Sequence, residues 1–506
     1  MKNGLKMPNR GLSPWRTATL LFTGALAVRV LAVAATGFDG LYGQDAYAYF
    51  DQAMALRAAL LQGLPAPPGF HWPQGYPGLV ALLSLAVGAG PWAAQWLSLL
   101  MGSLAASLTY LIGRRLFPAE NHGAAVLAAV VTAIGGQAVL SSVVCMSDAT
   151  AMALILLSMW IALRYRDAPH HWPLLVLAVI TGGAAVATRW ASLLVAPALA
   201  VPALAGFSKN ACYRRCRPGL MFAAIALSGV GLVAVFSVEA FDIAGYFRGW
   251  TLFNGVWGPI PQIPKNSLAA AAPGLLYYLA PLYHPAFLGP LLGPLAFWGL
   301  WRLGRDHDRT SLMTLLLWAV IPYLFFIGLP LRNLRFCLTN STAFILLGAY
   351  GAWCLFPRPI LGRPTRALVI LSLALTAGWS LYRLHHFTAD QATIVRTVEA
   401  VGDSVPADAI ILAFEITLAL EHHSNLEVVE LFDQDADDLQ ELAAGPRPLF
   451  LLTRPDDILE RWHDQAPGLN TRWLEARGDL TSVGTWEAYR LCKFQEHPPT
   501  PVETPP

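Results

Sequence analysis

Long apolar runs, each about the length of a membrane-crossing helix, dominate the chain from Thr17 to Leu384, with short polar connections between them. Roughly 20 apolar residues cross the ~30 Å hydrocarbon core of a bilayer as a helix. The pattern predicts about eleven spans, at 17–36, 93–116, 122–140, 147–163, 172–187, 190–206, 219–238, 275–301, 311–329, 336–356 and 367–384. The apolar segment 78–89 is too short to join them. Pro and Gly inside several runs do not disqualify these, because neighbouring helices satisfy the freed backbone groups. AVAA near the end of the first run resembles a signal-peptide cleavage site, but the run has span length and follows Lys2, Lys6, Arg10 and Arg16. An uncleaved first helix is therefore expected.

After Leu384 the texture changes. From Thr388, pieces such as IILAF, LEVVELF, PLFLLT, TRWLEA and WEAYRLCKF alternate with polar, helix-favouring segments such as Asp435 to Ala444. The predicted architecture is a polytopic α-helical membrane domain over 1–387, a small soluble α/β domain over 388–496, and a disordered Pro-rich tail over 497–506. Charge supports the division: residues 1–387 hold ten of the 32 Asp and Glu, and the last 119 residues hold the other 22. The overall balance of +2 conceals this split, while 55% hydrophobic content and 13% charged content exclude a soluble globule. Six cysteines, with only Cys212 and Cys216 close together, suggest neither a zinc site nor a disulfide framework.

Basic residues recur on alternate connections, at Arg114 and Arg115, Arg164 and Arg166, Lys209 to Arg217, Arg302 to Arg309, and Arg358 to Arg366. These connections are predicted to be cytoplasmic. The N-terminus is then cytoplasmic, and an odd number of spans puts the acidic C-terminal domain outside, in the periplasm of a cell with an inner membrane.

The first outer connection, 37–77, is the least like a linker. Connections beyond roughly 12–15 residues usually carry structure or function. Asp45 to Leu61 lacks Gly and Pro and is rich in good helix formers, so a helix at the membrane surface is predicted. Asp45 would occupy its first turn, favoured by the helix dipole, as a cap or as a functional carboxylate. Asp51 lies six residues on and cannot share its helical face. Other outer residues can converge with Asp45: Tyr47, Tyr49, His71 and Tyr76 in the same connection, Asp148 at the start of a span, Arg189 at an outer turn, and Arg332 and Arg335 in LPLRNLRF. Each has a bland alternative, since Asp148 suits a helix cap and Arg189 can snorkel. Together they have a chemical logic. Guanidinium forks hold phosphate bidentately, and a carboxylate can take a proton from an attacking hydroxyl. A phosphate leaving group needs preorganised cations.

The segments GQDAYAYFDQAMAL, HWPQGYPGLVALLSLAVG, AAQWLSLLMGSLAASLTYLIGRRLF, SSVVCMSDATAMALILLSMWIALRYR, AVATRWASLLVAPAL and LRNLRFCLTNSTAFILLGAYG occur in this order. In order and spacing they resemble the GT-C membrane glycosyltransferases, in particular the protein mannosyltransferase and aminoarabinose transferase branch. The resemblance implies a sugar transferase that uses a polyprenyl-phosphate-linked donor on the outer face of the membrane. It carries the catalytic acid of the first outer loop onto Asp45, the second outer carboxylate onto Asp148, and the late donor-phosphate arginine onto Arg335. Arg189 falls where relatives often have a basic residue. Two departures stand out: Ala46 replaces a frequent Glu, and Phe336-Cys337-Leu338-Thr339 replaces a frequent Tyr-Leu-Leu-Pro.

The expected activity is transfer of one hexosyl or pentosyl group, with inversion, to an outer acceptor that is glycan, lipid or protein. Asp45 and Asp148 form the catalytic set, Arg189, Arg335 and Arg332 bind donor phosphate, and Tyr47, Tyr49, Asp51, His71 and Tyr76 shape the sugar and acceptor pocket. Asp45 and Asp148 either share a divalent cation, Mg2+ or Mn2+, or act bare. Membrane lipid is the other partner, and no nucleic acid is expected. The rival readings are a lipid-linked-sugar flippase or transporter, and a non-catalytic assembly protein of a cell-envelope glycan pathway.

Overall fold

The computed structural model describes residues 13–65, 67, 70, 72–209, 274–289, 291–305, 308–329 and 332–497. Helix α1 (Pro14–Thr36) begins where the Ser13 hydroxyl accepts from the Arg16 amide and Pro14 needs no hydrogen bond, and it stops at Gly37 with φ 64. The first connection folds into α2 (Gly43–Gln62) and the short α3 (Gly75–Val87). The chain continues through α4 (Pro91–Leu116), α5 (His122–Ile134), α6 (Gly136–Val143), α7 (Ser147–Asp167), α8 (Trp172–Thr188) and α9 (Ala196–Lys209). It resumes in α10 (Gly293–Arg305), α11 (Arg309–Phe326), α12 (Leu338–Leu355) and α13 (Gly362–Ser404).

Among the described residues, seven helices are long and apolar enough to cross a membrane, or eight if the bent pair α5 and α6 is one span. With this set of helices the chain is a multi-pass membrane protein. The expected span at 122–140 is broken, with a 52° bend at the Gly135-Gly136 step. The expected span at 275–301 is not one helix either. Two short turns, Gly274–Tyr277 and Ala280–Tyr283, precede α10, because Pro281, Pro285 and Gly289 at φ 81 interrupt a continuous ladder. The expected span at 219–238 lies outside the described residues.

Burial sorts the helices. The apolar windows of α4, α7 and the segment that includes α12 are 72%, 78% and 83% buried, whereas that of α1 is 17% buried, so the first three form the centre and α1 flanks it. Glycine permits the tightest contact. A Cβ on Gly299 would stand 2.1 Å from the Leu347 carbonyl, and one on Gly351 would stand 2.0 Å from the Leu295 carbonyl, so α10 and α12 touch backbone to backbone.

The C-terminal domain grows directly out of α13. This 43-residue helix carries the expected last span and continues to Ser404, so the boundary expected at 387/388 falls inside one helix. Strands β1 (Ile410–Ala413), β2 (Glu427–Glu430), β3 (Leu449–Thr453), β4 (Gly478–Trp486) and β5 (Tyr489–Glu496) form one sheet in the order β2-β1-β3-β5-β4. β1 pairs parallel with β2 and β3, and the β4–β5 hairpin adds antiparallel to β3. Period-2 alternation divides β1 and β3 between two cores. Ile410, Leu412, Leu449 and Leu451 pack with Leu439 and Leu474 of helices α15 (Ala436–Ala444) and α16 (Ala466–Arg477). Ile411, Ala413, Phe450 and Leu452 instead join a core with Val398 and Val401 of α13 and with Phe38, Leu41, Tyr47 and Phe50 of the first connection. One face of the sheet is therefore sealed by the membrane domain's own loop, and α14 (Thr417–His423) lies against α2.

Candidate functional site

The predicted surface helix forms as α2, with Asp45 in its first turn. Its N-terminal residue Tyr42 makes no side-chain cap bond, and the helix starts at Gly43 with φ 53. Asp45 is therefore not spent on capping by itself. Its Oδ2 accepts from Arg335 Nη2 at 2.8 Å, across 290 residues of sequence. Arg335 follows Asn333, whose side chain accepts from the Arg335 amide and starts the 3-10 turn Leu334–Cys337 before α12.

A second ion pair stands beside it, close but without the hydrogen-bond alignment of the first. Arg189 Nη1 lies 2.8 Å from Asp148 Oδ1. Asp148 occupies the first turn of α7, where the helix dipole favours a carboxylate, and Arg189 follows the last residue of α8. Both arginines approach the phenyl ring of Phe336, whose centre is 5.6 Å from the Arg189 guanidinium carbon and 5.9 Å from that of Arg335. A small cleft lined by Asp148, Met152, Arg189, Ser192, Arg335, Leu338 and Thr339 brings the second pair and Arg335 together.

The carboxylates differ in access. The Asp45 side chain is 33% exposed and that of Asp148 only 2% exposed. Arg335 also retains donors: its Nη1 faces the Met146 sulfur at 3.4 Å, a weak acceptor, and its Nε has no partner. Tyr42 donates to the same sulfur at 2.8 Å, and burial pushes its hydroxyl up to about 12. The site thus presents two guanidiniums, one reachable carboxylate and a phenol that stays protonated at neutral pH.

The remaining expected residues separate. Tyr49 is buried under the site, its hydroxyl accepting from Ser147 at 3.3 Å and its ring stacked on Trp72. Tyr76 is fully buried, bonded through its hydroxyl to the Ala94 carbonyl and Ser98, so it packs the wall and lines no open pocket. Tyr47 points away from Asp45, its hydroxyl 3.1 Å from His423 Nε2 of the C-terminal domain. Asp51 lies on that same side, near His422 and Glu421, and burial raises its carboxyl. Arg332 belongs to neither pair and stands beside Tyr277 and Tyr278. His71 lies outside the described residues. Among the described residues, no group of three His, Cys, Asp or Glu comes together as metal ligands. Tyr42 and Met146 are site residues to which sequence reasoning gave no role, and Phe336 entered it only as part of a departure from Tyr-Leu-Leu-Pro. Their only signal was adjacency to motif residues.

A family model described as dolichyl-phosphate-mannose-protein mannosyltransferase matches residues 67–236. No curated protein matches the chain. Among solved structures, ArnT from Cupriavidus metallidurans bound to undecaprenyl phosphate superposes with a TM-score of 0.61 at 15% identity, covering 94% of this chain and 97% of that one. Its apo state superposes with a TM-score of 0.60 at 16% identity, covering 95% of this chain and 98% of that one. The oligosaccharyltransferase AglB from Archaeoglobus fulgidus, in complex with an inhibitory peptide and a dolichol-phosphate, has a TM-score of 0.56 at 12% identity. That alignment covers 97% of this chain and 75% of that one. The chain therefore has the GT-C fold, and the resemblance carried by its motifs agrees with both comparisons.

Proposed function

We propose that this protein is an integral-membrane glycosyltransferase that moves one sugar from a polyprenyl-phosphate donor to an acceptor on the outer side of the cytoplasmic membrane. The observation that carries the reading is the pairing of Asp45 with Arg335 beside Asp148 with Arg189, at the end of the bundle where the C-terminal domain sits. The fold shared with ArnT and AglB, whose structures contain polyprenyl phosphates, supports the donor class.

The chemistry follows from access. Donor phosphate takes the Arg335 Nη1 donors in place of the weak Met146 sulfur contact, while Nη2 keeps its bond to Asp45. The acceptor hydroxyl attacks the anomeric carbon from the face opposite the phosphate and gives its proton to Asp45. The bond from that carbon to the phosphate oxygen breaks, and the charge left on the polyprenyl phosphate is held by Arg335 and Arg189. Asp148 is too enclosed to meet an acceptor, and its part is to hold Arg189. Two guanidiniums beside the carboxylates oppose a divalent cation there, so the reaction is expected to run without one.

The test is transfer by purified protein in nanodiscs with a panel of polyprenyl-phosphate sugars and glycan, lipid and peptide acceptors, wild type beside Asp45→Asn. Transfer abolished in the variant, with donor binding retained, supports the reading. Full activity in the variant moves the base elsewhere. Movement of the lipid-linked sugar between leaflets of sealed proteoliposomes, without transfer, would favour the flippase.

A further inference from the structure

Helix α2 has two working faces. Asp45 and Tyr49, one turn apart, face α7 and the arginines. Gln44, Tyr47 and Phe50, spaced by three, face the C-terminal domain. Gln44 uses both ends of its amide there. Its Nε2 donates to Glu430 Oε2 at 2.8 Å, and its Oε1 accepts from the Leu418 amide at 3.0 Å. Glu430 Oε2 accepts in turn from Thr417 Oγ1 at 2.7 Å, so the clamp ties the end of β2 and the start of α14 to one residue. Farther along α2, Tyr47 meets His423, and the Phe50 ring stands 5.7 Å from His422.

The residue so gripped is the neighbour of Asp45. The chain before α2 is held, by the Asp39 carboxylate accepting from the Leu41 amide and the Gly40 carbonyl accepting from the Cys145 amide, but the first turn itself has no side-chain cap at Tyr42 and starts at Gly43 with φ 53. We propose that the C-terminal domain completes the reaction centre, with Gln44 as the positioning residue through which Glu430 and the Leu418 amide hold Asp45 against Arg335. The inference rests on the transferase reading above. It gives the C-terminal domain a catalytic purpose independent of acceptor binding, because a displacement of about 1 Å at a reacting group costs rate on the order of 100-fold.

The clamp has a reversible chemistry that tests it. Gln44→Glu sets two carboxylates face to face. Gln44→Glu with Glu430→Gln rebuilds the clamp with the roles exchanged: the residue-430 amide donates to the new carboxylate, which also accepts from the Leu418 amide, and the Thr417 hydroxyl turns from donor to acceptor. In full-length protein in nanodiscs, Gln44→Glu is expected to lower kcat about 10- to 100-fold with donor KM within about twofold, and the double variant to recover most of kcat. Hydrogen exchange over 417–430 should rise in the single variant and return in the double. A kcat unchanged in Gln44→Glu, or no recovery in the double variant, overturns the proposal. Absence of transfer by wild type with every donor overturns the transferase reading instead. Exchange then rules on the clamp alone, and unchanged exchange in Gln44→Glu overturns it.

Discussion

Asp148 and Arg189 are paired at 2.8 Å with side chains only 2% and 16% exposed, whereas Asp45 and Arg335, also at 2.8 Å, are 33% and 21% exposed. The first pair is built into the wall, and the second borders the opening. Removing one partner of an enclosed pair strands the other charge at a cost of about 3–5 kcal/mol. Arg189→Ala should therefore lower the thermal midpoint in detergent strongly. Arg189→Ala with Asp148→Ala should recover part of the loss, as a double-mutant cycle would show.

The more accessible pair should answer in activity before stability. Asp45→Asn keeps the shape and a hydrogen bond to Arg335 but removes the proton acceptor, so kcat should fall by about 10²–10⁴-fold with the fold intact. Arg335→Lys keeps the charge and loses the planar fork, and binding of polyprenyl phosphate should weaken by about tenfold or more in a titration. Addition of EDTA should leave the wild-type rate within about twofold; a larger loss restored by Mg2+ or Mn2+ would mean a shared cation.

Contact between the C-terminal domain and α2 should depend on pH with two opposing arms. Burial, then neighbouring His422, lowers the His423 pKa against the pull of Asp39 and Glu399. The folded state therefore binds this proton less readily than the unfolded chain, and stability is lost as pH falls below about 6.5. Burial raises the Glu430 carboxyl, so the folded state keeps that proton longer, and stability is lost as pH rises from the ordinary carboxylate range through the raised value. Hydrogen exchange over 417–430 against pH should show both limbs. His423→Gln should flatten the first and Glu430→Gln the second.

The α10–α12 contact should tolerate no added carbon. Gly351→Ala places its methyl 2.0 Å from the Leu295 carbonyl, a backbone atom that cannot turn aside. A loss of about 1–3 kcal/mol is expected, read as a lower thermal midpoint. An unchanged midpoint would show that the helices separate freely.

Amino-acid order alone determined much of this molecule. Helical periodicity and the absence of Gly and Pro placed α2 with Asp45 in its first turn, run length placed α4, α7 and α12, and short continuous apolar runs placed β1 and β3. Those are local properties, set by neighbours a few residues apart. Gly135 and Gly136 were visible but not decisive, because whether a glycine pair bends a span depends on what packs against it. Only tertiary structure decided which residues meet across long distances in the chain. Asp45 reaches Arg335, Tyr47 turns to His423, Tyr76 vanishes into the wall, and Gln44 grips Glu430. Periodicity tells which side chains share a face of a helix, but the rotation of that face toward a partner is set by packing of the whole bundle.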